Sequence, residues 1–101
     1  MGKQFTLINS NTTNSTTPIN ISIPDNISDI MVCYGKDNNG QAYGGGIIWG
    51  NRHYVGDKPC FLQVLDDSGD IGVLYIRFHY SDINYYRHSG SKILRVIIYG
   101  R

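Results

Sequence analysis

The ten residues 71–80, Ile-Gly-Val-Leu-Tyr-Ile-Arg-Phe-His-Tyr, decide the fold class of this chain. From residue 74 every second position is large and apolar, whereas the positions between become polar at Arg77 and His79. Successive side chains of a β-strand point to opposite faces, so this alternation predicts a long strand with one buried face. The side chains expected to face the core are Leu74, Ile76, Phe78 and Tyr80.

Similar segments lie on both sides of this strand. Residues 19–23 alternate strictly between Ile and a polar residue, and residues 29–34 and 60–65 are also strand-like. A short first strand is expected at 5–8. Residues 92–99 are apolar on both faces, which is typical of a strand in the middle of a sheet.

Polar segments separate these strands. Residues 9–18 form a low-complexity Asn/Ser/Thr stretch, expected to be a mobile loop or an exposed edge. Residues 35–46 are the least regular, although Asn39-Gly40 within them is a strong hairpin signal. Tight turns are expected at 56–59 and 66–70, and a polar, aromatic loop at 81–91.

The composition excludes helical folds. All eight acidic residues are Asp, Ala42 is the only alanine, and the chain has 12 Gly and 8 Tyr. Strong helix formers are therefore scarce, while β-branched, aromatic and turn-forming residues dominate. The 101 residues fit one domain, and seven or eight short strands predict a single all-β antiparallel sandwich, jelly-roll-like, over residues 1–101.

The charge and the hydropathy pattern exclude several partners. A net charge of +1 gives no basic surface for nucleic acid. No apolar run approaches the ~18 residues that span a bilayer, so membrane insertion is not expected, and no secretory leader is recognisable. Cys33 and Cys60 could form one disulfide, but both lie in apolar, strand-like contexts where free thiols are common, so free thiols are expected.

Polar and aromatic residues cluster in predicted loops, and this chemistry suits sugar binding. Asp and Asn bond vicinal hydroxyls, Arg and His add donors, and an aromatic ring stacks on the apolar side of a pyranose. Trp49, between Ile47-Ile48 and Gly50, is in a context typical of a core residue, with an exposed stacking platform as the alternative. The candidate ligand-binding residues are Trp49, Asn51, His53, Tyr54, Asp82, Asn84, Tyr86, Arg87 and His88.

These residues predict a small non-enzymatic lectin for glycans or a glycoprotein surface. Its shallow single site would be weak, so a homo-oligomer is expected to raise the avidity. The alternative is a protein-binding module, such as an inhibitor or a coat protein, with a Tyr-rich surface at Tyr85 and Tyr86. A less favoured alternative is a small metal-independent nuclease or toxin, with His53 and His88 as acid and base and Arg87 on the phosphate.

No cofactor is expected, although clustered Asp and Asn oxygens make calcium an alternative. Residues 66–70 lack the spacing and terminal Glu of an EF-hand, so a turn is the preferred interpretation. The Cys and His residues lack the spacing of a zinc site.

Residues 80–91, Tyr-Ser-Asp-Ile-Asn-Tyr-Tyr-Arg-His-Ser-Gly-Ser, precede the last apolar strand. Together with that strand, to residue 99, they resemble the calcium-dependent galactophilic lectins of bacteria. In that family a strand, an Asp-containing loop, an Asn pair, Ser-Gly-Ser and a last strand follow in this order. The resemblance implies a metal-ligating role for Asp82, whereas Arg87-His88 stands where the family has its Asn pair. It supports the architecture more than the activity.

Overall fold

The structure is a computed structural model that describes residues 3–53 and 59–101. Tyr54 and most of the predicted turn at 56–59 lie outside the described residues. Within them eight strands form: β1 (Thr6–Thr13), β2 (Ile19–Ser22), β3 (Asp29–Asn38), β4 (Gln41–Asn51), β5 (Pro59–Leu65), β6 (Ile71–Phe78), β7 (Asp82–Ser89) and β8 (Leu94–Gly100).

The strands form two antiparallel four-stranded sheets, and the predicted all-β sandwich is confirmed. The first sheet has the order β1-β8-β3-β4, and the second has the order β2-β7-β6-β5. The pairings β1–β8 and β2–β7 are those of a jelly roll, whereas β3–β4 and β5–β6 are hairpins within their own sheets. No helix in the described part of the chain is long and apolar enough to cross a membrane.

The core lies between the sheets and follows the predicted alternation. On β6 the side chains of Leu74, Ile76 and Phe78 are buried, and β8 is an inner strand, as expected. Tyr80 is the exception, because it lies beyond the end of β6 and is exposed. The remaining buried apolar residues are Ile23, Ile27, Ile30, Val32, Val64, Ile83, Tyr85, Leu94, Val96 and Ile98.

Two segments predicted as loops are strands. Residues 9–13 of the polar stretch 9–18 belong to β1, where they pair with β8 as an exposed edge. Residues 82–89 of the predicted loop 81–91 form β7, which places Ile83 and Tyr85 in the core. In both strands one face is exposed to solvent and carries polar residues. These polar residues give the segment the composition of a loop, so the strand was not predicted.

The irregular segment 35–46 contains the predicted hairpin turn. Asn39 and Gly40 both have positive φ, 52° and 87°, as a two-residue type I′ turn requires. Gly35 on β3 faces both Gly44 and Gly45 on β4, which forms a β-bulge. Two of the three consecutive glycines, Gly44 and Gly45, therefore lie in the bulge of the edge strand β4.

Tyr85 is a polar residue inside the core. It is fully buried, and its hydroxyl has no hydrogen-bond partner among the described residues. Burial raises the pKa of Tyr85 to about 12, since the phenolate is costly to desolvate. The contribution of Tyr85 to the free energy of unfolding should therefore be constant below pH 10 and fall as the pH rises from 10 through about 12. The reason is that Tyr85 ionises at a lower pH in the unfolded chain than in the folded protein.

We expect Tyr85→Phe to raise the free energy of unfolding by about 1 kcal/mol at neutral pH, because it removes an unpaired buried hydroxyl. The variant should also lose less stability than the wild type between neutral pH and pH 11. Urea denaturation at both pH values measures the two effects. A lower stability of the variant at neutral pH would show that the hydroxyl has a partner.

Candidate functional site

The outer face of the second sheet carries a continuous row of rings, called here the aromatic row: Tyr86, Tyr75, Phe61 and His88. The strand register places Tyr86 of β7 beside Tyr75 of β6, and Tyr75 beside Phe61 of β5. Tyr86 and Tyr75 stack with centroids 4.4 Å apart, and Tyr75 meets Phe61 at 5.4 Å with an interplanar angle of 69°. Phe61 is 55% exposed, so its ring is accessible from solvent.

A bulge in β7 adds His88 to this row. The register moves from Leu74–Arg87 to Val73–Ser89, which leaves His88 as the extra residue. Bulges bend a strand and redirect a side chain. The imidazole of His88 lies 5.0 Å from the Phe61 ring, at 71° to it.

Polar side chains run parallel to the aromatic row on the same face. Asn20, Asn84 and Arg77 are cross-strand neighbours on β2, β7 and β6, and Asp82 faces Ser22 at the next outward position. Asn20 is exposed and Asn84 is half-buried. A ligand lying on the rings would therefore meet amide donors and acceptors beside them.

The structure separates the predicted site into parts. Asp82, Asn84, Tyr86 and His88 share the outer face of the second sheet, whereas Trp49 and Asn51 lie on β4 of the first sheet, on the other side of the sandwich. Trp49 is 64% exposed, so the core interpretation of this residue is wrong. It lines a 270 Å³ cleft with Asp29, Gly50, Asn51 and Arg101.

His53 lies at the end of the sandwich, against the Tyr80 ring at 5.0 Å. Both residues line a 380 Å³ cleft together with Asp25, Ile27, Ser28, Arg52 and Ser81. Asn51 Oδ1 accepts the His53 backbone N–H at 2.9 Å. The side-chain oxygen of Asn51 is therefore hydrogen-bonded within the turn after β4.

The proposed nuclease pair is not assembled. His53 contacts Tyr80 beyond the end of β6, whereas His88 lies level with Val73 and Leu74 near its start. Six residues of extended chain separate these levels, which is roughly 20 Å. The two imidazoles are therefore too far apart to act as acid and base on one phosphate.

Arg87 is held by structural contacts. Its guanidinium Nη1 donates to the Lys92 carbonyl oxygen at 2.7 Å. Its backbone N–H donates to Thr13 Oγ1 at 2.9 Å and to the Ser15 carbonyl oxygen at 3.1 Å. These bonds fix the connection after β1 against β7.

Arg52 has a structural role that the sequence pattern does not reveal. Its side chain is buried at 6% exposure, and all five of its N–H bonds are directed at backbone carbonyl oxygens at 2.6–3.3 Å. The acceptors are Ile23, Pro24, Ile27 and Tyr80. Arg52 therefore ties the β2–β3 and β6–β7 connections to the end of β4.

The acidic residues 66–70 form the expected turn. Asp66 Oδ1 accepts the backbone N–H groups of Ser68 and Asp70, both at 3.0 Å, and the Ser68 hydroxyl at 2.7 Å. The Ser68 hydrogen bond is the main reason that the pKa of Asp66 lies below its usual value. In residues 3–53 and 59–101, no three His, Cys or Asp side chains gather as metal ligands.

Cys33 and Cys60 are free thiols, as expected. They lie on different sheets, Cys33 on β3 and Cys60 on β5. Burial raises the pKa of the Cys33 thiol. A disulfide between them is not part of this fold.

Phe61 and Tyr75 were missed as site residues by sequence reasoning. Both stand at outward positions of strands that were correctly expected, but their alignment with Tyr86 depends on the pairing register of three strands.

No family model matches the chain, and no curated protein or solved structure is significantly similar to it.

Proposed function

We propose that this protein is a non-enzymatic carbohydrate-binding module whose ligand lies across the aromatic row. The observation that carries the proposal is the unbroken contact of Tyr86, Tyr75, Phe61 and His88 over three strands. Carbohydrate C–H faces pack on aromatic rings, and hydroxyls need nearby donors and acceptors. Asn20 and Asn84 supply those groups one row away.

The shape of this surface determines the class of ligand. The aromatic row crosses three strands about 4.8 Å apart, so the backbones of β7 and β5 are separated by about 10 Å and the rings fill the distance between them. The rings lie on the outer face of a sheet and extend over three strands, which suits an extended oligosaccharide more than a monosaccharide held in a pocket. Affinity for one such site should be weak, because the open face excludes little water.

Calcium has no role in this proposal. The groups that would touch the ligand are aromatic rings and amides, and among the described residues no three His, Cys or Asp side chains gather beside them. Binding should therefore persist in EDTA. Loss of binding in EDTA would instead favour the metal-dependent mode that the resemblance of residues 80–99 implies.

The test is a glycan array on the purified protein, with Phe61→Ala as the loss variant. Phe61→Ala should weaken binding about two- to tenfold, since a ring contact beyond burial is worth about 0.5–1.5 kcal/mol. Leu65→Ala is the matched control, because Leu65 lies on the same strand, faces outward and is similarly exposed, yet stands four residues, about 13 Å, along the strand from Phe61. The control should bind as the wild type does.

Two outcomes would contradict the proposal. The absence of any glycan above background would remove carbohydrate as the ligand. Equal losses for Phe61→Ala and Leu65→Ala would show that the aromatic row is not the contact surface.

The competing function is protein binding through the same rings, which are the residue types of interface hot spots. Such a partner would lose affinity on Tyr86→Ala and ignore competing sugars.

A further inference from the structure

The outer face of the first sheet is apolar where an outer face is expected to be polar. The strand register aligns Leu7, Tyr99, Met31 and Trp49 in one row across all four strands, and Ile97, Cys33 and Ile47 in the next. These seven residues are called here the apolar face. Leu7 is 60% exposed, and Ile47 and Trp49 are each 64% exposed.

This arrangement departs from a two-layer sandwich with solvent on both sides. Antiparallel sheets that face water on one side alternate apolar-in and polar-out. Here β3, β4 and β8 present apolar side chains to both sides. A contiguous exposed apolar surface of this kind marks an interaction site.

The charges near the apolar face are already paired at its two ends. Arg101 Nε donates to Asp29 Oδ2 at 3.1 Å at one end. Arg95 Nε donates to Asp37 Oδ1 at 2.8 Å at the other end. Each pair sums to zero charge, which suits a contact between identical surfaces better than a contact with a strongly charged partner.

We propose that the apolar face binds the same face of a second copy of this chain, which forms a symmetric dimer. A flat sheet is matched in shape by another sheet packed about 10 Å away. Four strands make the outer face of the sheet about 19 Å wide, and the eight residue steps from Asp29 to Asp37, which extend past the two apolar rows to the paired charges at both ends, make it about 26 Å long. Two such sheet faces in contact bury about 1,000 Å², which is the lower limit for a biological interface.

The inference goes beyond carbohydrate binding and is independent of it. In such a dimer the two second sheets face outward on opposite sides. If the aromatic row binds glycans, the dimer presents two sites, and binding to a surface with many glycans gains avidity without any new contact.

Sedimentation analysis over a range of concentrations, from about 1 to about 200 µM, tests the dimer, because association depends on concentration. The wild type should shift from monomer to dimer in this range. Ile47→Lys should remain monomeric, since it places an ammonium group in the contact. The matched control is Ile71→Lys, an exposed isoleucine on the outer face of the second sheet, which should dimerise as the wild type does.

Trp49 provides a second readout that needs no variant. It is the only Trp in the chain, and its emission should move to shorter wavelength as the dimer forms. A wild type that stays monomeric throughout overturns the proposal. A dimer that Ile71→Lys disrupts, or whose Trp49 emission does not change with association, overturns the assignment to the apolar face. Neither result bears on glycan binding, which the array measures separately.

Discussion

Replacing Arg52 by Met is expected to lower the free energy of unfolding by about 3–5 kcal/mol, a large part of the roughly 5–15 kcal/mol that is typical of folded domains. The buried guanidinium directs five N–H bonds to the carbonyl oxygens of Ile23, Pro24, Ile27 and Tyr80. Met fills a similar volume but donates no hydrogen bond. The Ile23 and Ile27 carbonyl oxygens, whose bonds to Arg52 are buried, would then lose that donor, and each such group costs about 1–3 kcal/mol.

Urea denaturation followed by far-ultraviolet circular dichroism measures this loss. Arg52→Lys should fall between the wild type and Arg52→Met, because an ammonium donates three bonds where the guanidinium donates five. Arg87→Met is the control. Within the described residues, the Arg87 side chain donates a single hydrogen bond, to the Lys92 carbonyl oxygen at the surface. This substitution should cost less than about 1 kcal/mol. An Arg52→Met variant as stable as this control would mean that Arg52 does not hold the end of the sandwich together.

Replacing Gly44 by Ala is expected to cost at least about 3 kcal/mol, for two additive reasons. The residue has φ of 74°, a left-handed conformation that a side chain disfavours by about 1–2 kcal/mol. A Cβ atom there would also overlap the Leu65 carbonyl oxygen, because the backbone of β5 lies close to β4 at this point. The overlap involves backbone on both sides, so rotation of a side chain does not relieve it.

Gly40→Ala separates the two contributions. Gly40 also has positive φ, 87°, but a Cβ atom there meets nothing within 4 Å. Its substitution should cost only the backbone strain, about 1–2 kcal/mol. The same denaturation series compares the two variants. Equal losses at both positions would contradict a close approach of the two strands at Gly44.

The strands with one buried and one polar face were predictable from the sequence. Residues 71–78 and the Asn39-Gly40 turn were located because alternation and turn chemistry act over a few neighbouring residues. Residues 82–89 were missed as a strand because Asn84, Tyr86 and His88 give their outward face the composition of a loop, although Ile83 and Tyr85 alternate with them. The polar composition of this segment outweighed the two-residue alternation of apolar and polar side chains in the prediction.

The candidate site was only half predictable, and the reason is the pairing of strands. Asn84, Tyr86 and His88 were identified from one segment of the chain, but Phe61 and Tyr75 join them only through the register of β5, β6 and β7. Trp49 was grouped with them by composition and lies on the opposite sheet. Arg52 carries no signal in its neighbours, since its four acceptors are backbone atoms distant in sequence.

The most direct test of carbohydrate binding by the aromatic row is a nuclear magnetic resonance titration of aromatic side-chain signals with the strongest glycan from the array. We expect shifts confined to Phe61, Tyr75, Tyr86 and His88, with the signals of Trp49 and His53 unchanged. Shifts at Trp49 and His53 that leave the aromatic row unmoved would contradict the proposal and place the ligand at the opposite sheet and the end of the sandwich.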